Sequence, residues 1–192
     1  MGTVTALWVA DPTWSLLLQR DAARKAGNAL TVNWNRDVLT YHHTGVEVVG
    51  RRDRVPVTIE FHRFPPYHCY GLPPEEYPRV LADVGARSPH RMPEDDRLCL
   101  WMPHDPPEQR WTPDDGLQRL LDITAEHLFA EEHWRRTGGV AEHDVEVGEW
   151  PIAQAAHGMS APAFAPGARV VSRATVPGVS RRVRRRQLKG AR

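Results

Sequence analysis

The sequence predicts an α+β fold: an N-terminal helix, an antiparallel meander of about four short strands, an irregular flap and a C-terminal helix. Three observations predict it. A capped helical pattern lies near the N-terminus, segments with strand periodicity follow it, and the best-capped helix of the chain comes only after a long irregular stretch. A chain of 192 residues is long enough for one domain with a single core.

The first helix is predicted to begin at Asp11-Pro12 and to run to Gly27. Aspartate is a favoured N-cap residue, and proline is favoured at the first helical position because its missing N–H has no partner there in any case. Glycine is typical of the residue after a helix. The buried stripe of this helix is predicted to consist of Trp14, Leu17 and Leu18.

The meander is predicted from apolar residues that recur at every second position. Turn signals at Thr44-Gly45 and at residues 50–53 separate the segments. Short loops between such strands favour antiparallel neighbours. The predicted strands are residues 29–34, 38–43, 46–49 and 56–63, with one more short strand expected at 79–84.

The flap and the last helix come next. Residues 64–78 are too rich in proline to form a central strand, and residues 85–107 are irregular apart from an apolar patch, Leu-Cys-Leu-Trp-Met, at 98–102. Thr112, Pro113 and Asp115 then form the cap, first position and capping box of a helix that ends near Gly138-Gly139. Its inward stripe is predicted to be Leu117, Leu120, Leu121, Thr124 and Leu128.

The charge distribution divides the chain into two parts. Residues 1–150 hold 16 of the 25 Lys and Arg and all 24 Asp and Glu, a net charge of −8, whereas the other nine cations follow residue 150. We therefore predict a domain at 1–159 and a flexible basic tail at 160–192. Such a tail can bind nucleic acid or an acidic partner protein, or can serve only solubility.

Several classes of protein are disfavoured. No apolar run reaches the ~20 residues of a membrane helix, and the N-terminus lacks the pattern of a secretory signal. Two cysteines do not make a disulfide framework, so a cytoplasmic protein with reduced thiols is expected. The histidines match no zinc-binding spacing, and we predict no metal site.

Four short motifs occur in a distinctive order. A proline-rich stretch (residues 64–66 and 72–74) is followed by Ser88-Pro89-His90, by Leu98-Cys99-Leu100 and by Trp111-Thr112-Pro113 at the start of a helix. Over residues 12–150 the chain resembles the ubiquitin-conjugating enzymes, in which His-Pro-Asn precedes a catalytic cysteine between apolar residues and Trp-Ser-Pro opens a helix. The family's His-Pro-Asn is replaced here by Ser88-Pro89-His90, and extra residues precede Trp111. Both departures resemble the divergent bacterial branch of the family, which is found in antiviral defence and conjugation operons.

The resemblance implies a function and a site. The chain would carry a ubiquitin-like modifier protein as a thioester on Cys99, receive it from an activating enzyme and pass it to a target protein, with no cofactor of its own. His90 would stand where the family has the asparagine that supports the oxyanion, a role that an imidazole N–H can also fill. The candidate acid/base groups are Asp114, Asp115 and His104, and the residues with a structural role near the site are Trp111 and Pro113.

Other interpretations stay open at this point. Asp114 and Asp115 are also explained as helix-start residues favoured by the macrodipole. Cys99 can be a small buried apolar residue, since free cysteine is among the most buried residue types, and the protein would then be a non-catalytic binding module of the same fold. A third alternative is a nucleic-acid-binding protein that acts through its tail. Exposure of Cys99, with a pKa near the usual ~8.5, is what the thioester hypothesis expects.

Overall fold

The computed structural model describes residues 7–138, and these form an α+β fold with an N-terminal helix, a four-stranded antiparallel sheet and a C-terminal helix. The predicted boundary between residues 159 and 160 and the basic tail lie outside the described residues. The helices are α1 (Leu7–Ala10), α2 (Pro12–Ala26) and α3 (Gly116–Arg136), and the strands are β1 (Leu30–Trp34), β2 (Val38–Val46), β3 (Val55–His62) and β4 (Arg79–Ala82). No helix within residues 7–138 is long and apolar enough to cross a lipid bilayer.

Helix α2 begins where the sequence predicts, but its buried side is different. The Asp11 carboxylate accepts a hydrogen bond from the backbone N–H of Thr13, which satisfies one of the free donors at the helix start. The buried residues are Leu18 and Ala22, which are four positions apart on one face of the helix. Leu17 is 60% exposed, so its predicted burial is wrong. It lies about a quarter of a turn from that face.

The sheet is a meander in which the strands pair in chain order, β1-β2-β3-β4, all antiparallel, as predicted. The separate strand predicted at 46–49 is wrong, because β2 continues through Gly45 to Val46 with a bulge between His43 and Val46. A Cβ atom at position 45 would lie 2.6 Å from Cβ of Arg54, which is too close for any residue but glycine.

Aromatic side chains join the sheet to the helices and the flap. Phe61 of β3 is fully buried and makes edge-to-face contacts with Tyr41 of β2 and Trp14 of α2, with ring centroids 6.2 and 5.6 Å apart. On its other side it packs against Trp111, at 6.0 Å. The core therefore lies between one face of the sheet and the layer formed by α2, α3 and the chain around Trp111.

The start of α3 also follows the sequence. Both the backbone N–H and the hydroxyl of Thr112 donate to the Asp115 carboxylate, and a 3₁₀ turn at Pro113–Asp115 leads into the helix. The predicted inward stripe is confirmed, since all five of its residues are buried. The stripe also continues further than predicted, with His127, Glu131 and Trp134 buried along the same helix.

Candidate active site around Cys99

The flap, defined here as residues 83–111, contacts the edge strand β4 through Leu98 and carries Cys99. Its central segment is extended and hydrogen-bonded on both sides. The N–H of Leu98 donates to the carbonyl of Val80 in β4 at 2.9 Å, and the N–H of Cys99 donates to the carbonyl of His90 at 3.0 Å. Leu98 and Leu100 point into the core and are buried, whereas Cys99 lies between them and is partly exposed.

Burial dominates the electrostatics of the Cys99 thiol. It raises the thiol pKa to about 11, and the positive charge of Arg97 opposes this while the carboxylates of Asp105 and Glu94 add to it. The thiol is therefore protonated in the resting protein at neutral pH, more firmly than the sequence-based expectation of ~8.5 implies. Any reaction at this sulfur requires removal of that proton.

His90 is held beside Cys99 by its backbone, and its ring packs against α3. The N–H of His90 donates to the Ser88 hydroxyl at 3.1 Å, and its carbonyl accepts from Cys99. The ring is buried and lies perpendicular to that of His127, with centroids 6.4 Å apart. Burial, reinforced by His127, lowers the pKa of His90 to about 4, so the imidazole is neutral at pH 7. Its predicted part in oxyanion stabilisation stays a prediction.

The other sequence-predicted residues have defined places. The Asp115 carboxylate accepts a hydrogen bond from the N–H of Thr112 in the cap of α3. Asp114 beside it is exposed. His104 is exposed, with its ring 6.4 Å from that of Tyr70. Trp111 is buried, donates from its indole N–H to the carbonyl of Gly116 at 2.9 Å and stacks 6.2 Å from Trp101. Trp111 thus anchors the C-terminal end of the flap in the core and packs against Trp101.

A buried charged cluster that the sequence analysis missed connects the flap to α3. Arg91 donates through two nitrogens to the two carboxylate oxygens of Glu131, both at 2.8 Å, and also reaches Asp96 at 3.1 Å. Burial raises the pKa of Glu131, but hydrogen bonds from His127 and Arg91 outweigh it and hold that pKa at about 2. The signal in the sequence is the i, i+4 spacing of His127 and Glu131 along the apolar stripe of α3.

Arg97 is the second residue that the sequence analysis missed. It precedes Cys99 by two positions in an extended segment, so the two side chains lie on the same side of the chain. Its guanidinium lies over the ring of Tyr67, 4.7 Å from the centroid. Its charge acts on Cys99 and also on Cys69, whose thiol pKa is raised by burial. In the sequence, polar or reactive residues alternate with leucine over positions 97–100, and this alternation is the signal that could have predicted that Arg97 lies near Cys99.

Among residues 7–138, no three His, Cys, Asp or Glu side chains are grouped so that they could hold a metal ion. No family model, curated protein or solved structure matches the chain. Both Cys69 and Cys99 are partly exposed, and what the flap offers chemically is the Cys99 thiol, held by backbone hydrogen bonds and acted on by the charge of Arg97.

Proposed function

We propose that the protein is a ubiquitin-conjugating-like carrier, which takes a small ubiquitin-like protein from an activating enzyme as a thioester on Cys99 and passes it to a target amine or another nucleophile. The proposal includes the fold assignment, the thioester chemistry and the three protein partners. The resemblance in the order of motifs supports it, from the proline-rich stretch to Trp111-Thr112-Pro113.

The single observation that carries the proposal is the placement of Cys99. The flap turns the residues on either side of it, Leu98 and Leu100, into the core and leaves the cysteine partly exposed. A cysteine that served only to fill the core would be expected among the buried side chains. Backbone hydrogen bonds from both Leu98 and Cys99 fix the position of the sulfur, as a nucleophile requires.

Loading is a simple exchange of thioesters. The Cys99 sulfur, after loss of its proton to a base in solution, forms a bond to the terminal carbonyl carbon of the modifier. The bond from that carbon to the sulfur of the activating enzyme breaks, and this second sulfur leaves as a thiolate that takes up a proton. In the transfer step an amine of the target forms a bond to the same carbon, the bond from that carbon to the Cys99 sulfur breaks, and Cys99 leaves as a thiolate while a base in solution takes the proton that the amine loses.

The test uses the full chain. It is incubated with a ubiquitin-like modifier and the activating enzyme specific for that modifier, together with ATP, and the products are analysed by intact mass with and without reductant. Cys69→Ser is the matched control for Cys99→Ser. A reductant-sensitive adduct that is lost only in Cys99→Ser supports the proposal, and a reductant-sensitive adduct that survives in Cys99→Ser contradicts it.

A second candidate function is favoured by one observation, the raised pKa of Cys99. A thiol that is protonated at neutral pH and partly covered also fits a non-catalytic binding module of the same fold. This alternative predicts that the modifier or a partner binds equally well to the wild type and to Cys99→Ser, and that no covalent adduct forms with either.

A further inference from the structure

The Arg97 side chain is an unusual feature of the flap, because it is only 2% exposed yet carries a full charge. One of its terminal nitrogens, Nη1, lies 2.9 Å from Asp95 and 3.0 Å from Glu94. The other two nitrogens, Nε and Nη2, are buried and make no hydrogen bond within residues 7–138. Unpaired donors on a buried charge are costly, so these two are the natural contacts for an anion.

The sulfur of Cys99 is the group that can supply this anion. Leu98 forms an antiparallel β-bridge with Arg91, and since side chains alternate along such a segment, we infer that its two neighbours Arg97 and Cys99 lie on the side opposite to Leu98. The positive charge acts on the Cys99 sulfur and is the one opposing the two carboxylates, of Asp105 and Glu94, that act on it. Arginine is suited to this position because it stays charged in any environment and holds its donors in a fixed plane.

We propose that Arg97 is the counter-ion of the Cys99 thiolate, with its Nε–H and Nη2–H groups donating to the sulfur once the proton has left. When Cys99 loses its proton to a base in solution, the negative charge forms next to a guanidinium that is already in place. The two N–H donors then gain the partner that they lack in the resting protein. The inference deepens the proposed function, since the same pair would stabilise Cys99 as leaving group in transfer.

Neighbouring groups set the strength of the pair. Asp95 and Glu94 both pair with Nη1 of Arg97, the Tyr77 hydroxyl also forms a side-chain hydrogen bond with Arg97, and Tyr67 lies in the field of the cation. The second thiol, Cys69, lies in this field too. A measurement of Cys99 alone therefore needs the Cys69→Ser background.

The test measures the alkylation rate of Cys99 by iodoacetamide, a neutral reagent, from pH 6 to pH 11 on the full-length Cys69→Ser chain, followed by intact mass. Arg97→Gln is expected to slow alkylation about tenfold or more at every pH below the midpoint, including pH 8, because the thiolate fraction falls about tenfold for each unit by which the thiol pKa rises. Arg97→Lys keeps the charge but not the planar donors, and is expected to lose less. An unchanged profile in Arg97→Gln would overturn the inference.

Two further sets of variants keep the test decisive. Arg110 is another largely buried arginine with an unpaired Nε, but it is not among the charges that act on Cys99, so Arg110→Gln should leave the profile unchanged. Asp105→Asn and Glu94→Gln each remove a negative charge beside the sulfur and should speed alkylation. If Arg97→Gln does not fold, Arg97→Lys decides: a profile identical to that of the parent chain overturns the inference, because lysine lacks the planar Nε–H and Nη2–H donors.

The outcome is independent of the carrier reaction, because alkylation needs neither modifier nor activating enzyme. If Arg97→Gln shifts the pH profile but no thioester adduct forms, the ion pair is supported and the proposed function is contradicted. If an adduct forms on Cys99 but Arg97→Gln does not shift the profile, the function is supported and the ion pair is contradicted.

Discussion

The sheet and the flap are held by different forces. In β3 the residues Val55, Val57, Ile59 and Phe61 are buried at every second position, and apolar packing fixes the strand. The flap also has buried apolar residues, but charged groups add to its anchoring: Arg91 binds Glu131 on α3, Arg79 of β4 binds Asp95 at 3.1 Å, and the N–H of Gly85 donates to Asp96 at 2.6 Å. The site for chemistry thus lies on the part whose geometry depends on ionisation.

Glu131→Gln should give the largest effect, because it leaves the buried Arg91 without its fully buried charged partner and with only the partly exposed Asp96. We expect a loss of about 3–5 kcal/mol in the free energy of unfolding, measured by urea denaturation of the full chain at pH 7. The double variant Arg91→Met/Glu131→Leu removes both charges and should be more stable than Glu131→Gln. A loss below about 1 kcal/mol in Glu131→Gln would show that charge does not fix the flap.

The second-largest effect should be the loss of folding stability at low pH, caused by protonation of His90. The unfolded imidazole binds a proton below its ordinary pKa of 6.5, whereas the folded one stays neutral until pH about 4. The unfolded state therefore holds more protons in this window, and the stability falls by about 3 kcal/mol as the pH drops from 6.5 to 4. Glu131 acts in a lower window: its stabilisation is full above its ordinary pKa of 4.5 and is lost as the pH falls through about 2.

Urea denaturation at pH 7, 5.5 and 4.5, which cover the His90 window, and at pH 3, which lies in the Glu131 window, separates the two. His90→Gln keeps a neutral polar side chain and should flatten the dependence between pH 6.5 and 4, leaving the lower window in place. The same slope in wild type and variant would assign the acid sensitivity to groups other than His90.

The contrast also explains what the sequence could predict. The four-strand meander, the cap of α2 and the buried stripe of α3 all rest on local periodicity, which survives without knowledge of the tertiary structure. The Arg91–Glu131 pair joins residues 40 apart, and no local pattern marks it. The position of Cys99 in an apolar patch is readable from the sequence, but the thiol pKa depends on burial and on Arg97, and both arise only once the flap is folded.

A conservative change in the sheet should have a smaller effect and no dependence on ionisation. Ile59→Val removes one buried methylene and should cost about 0.5–1.5 kcal/mol. The loss should be equal at pH 7 and pH 5 and at low and high salt, because no charged group is involved. A loss that changes with pH would mean that sheet and flap are not independent, which a double-mutant cycle with Glu131→Gln would measure.

The smallest effect is expected on α2, where the helical pattern predicts the element but assigns one leucine to the wrong side. Leu17 is 60% exposed, so Leu17→Ala should change the free energy of unfolding by no more than about 0.5 kcal/mol. The neighbouring Leu18 is 4% exposed, and Leu18→Ala should cost about 2–5 kcal/mol in the same urea experiment. Equal losses for the two variants would mean that Leu17 is covered in the folded chain after all, and the sequence-based stripe would then be the better description of this helix.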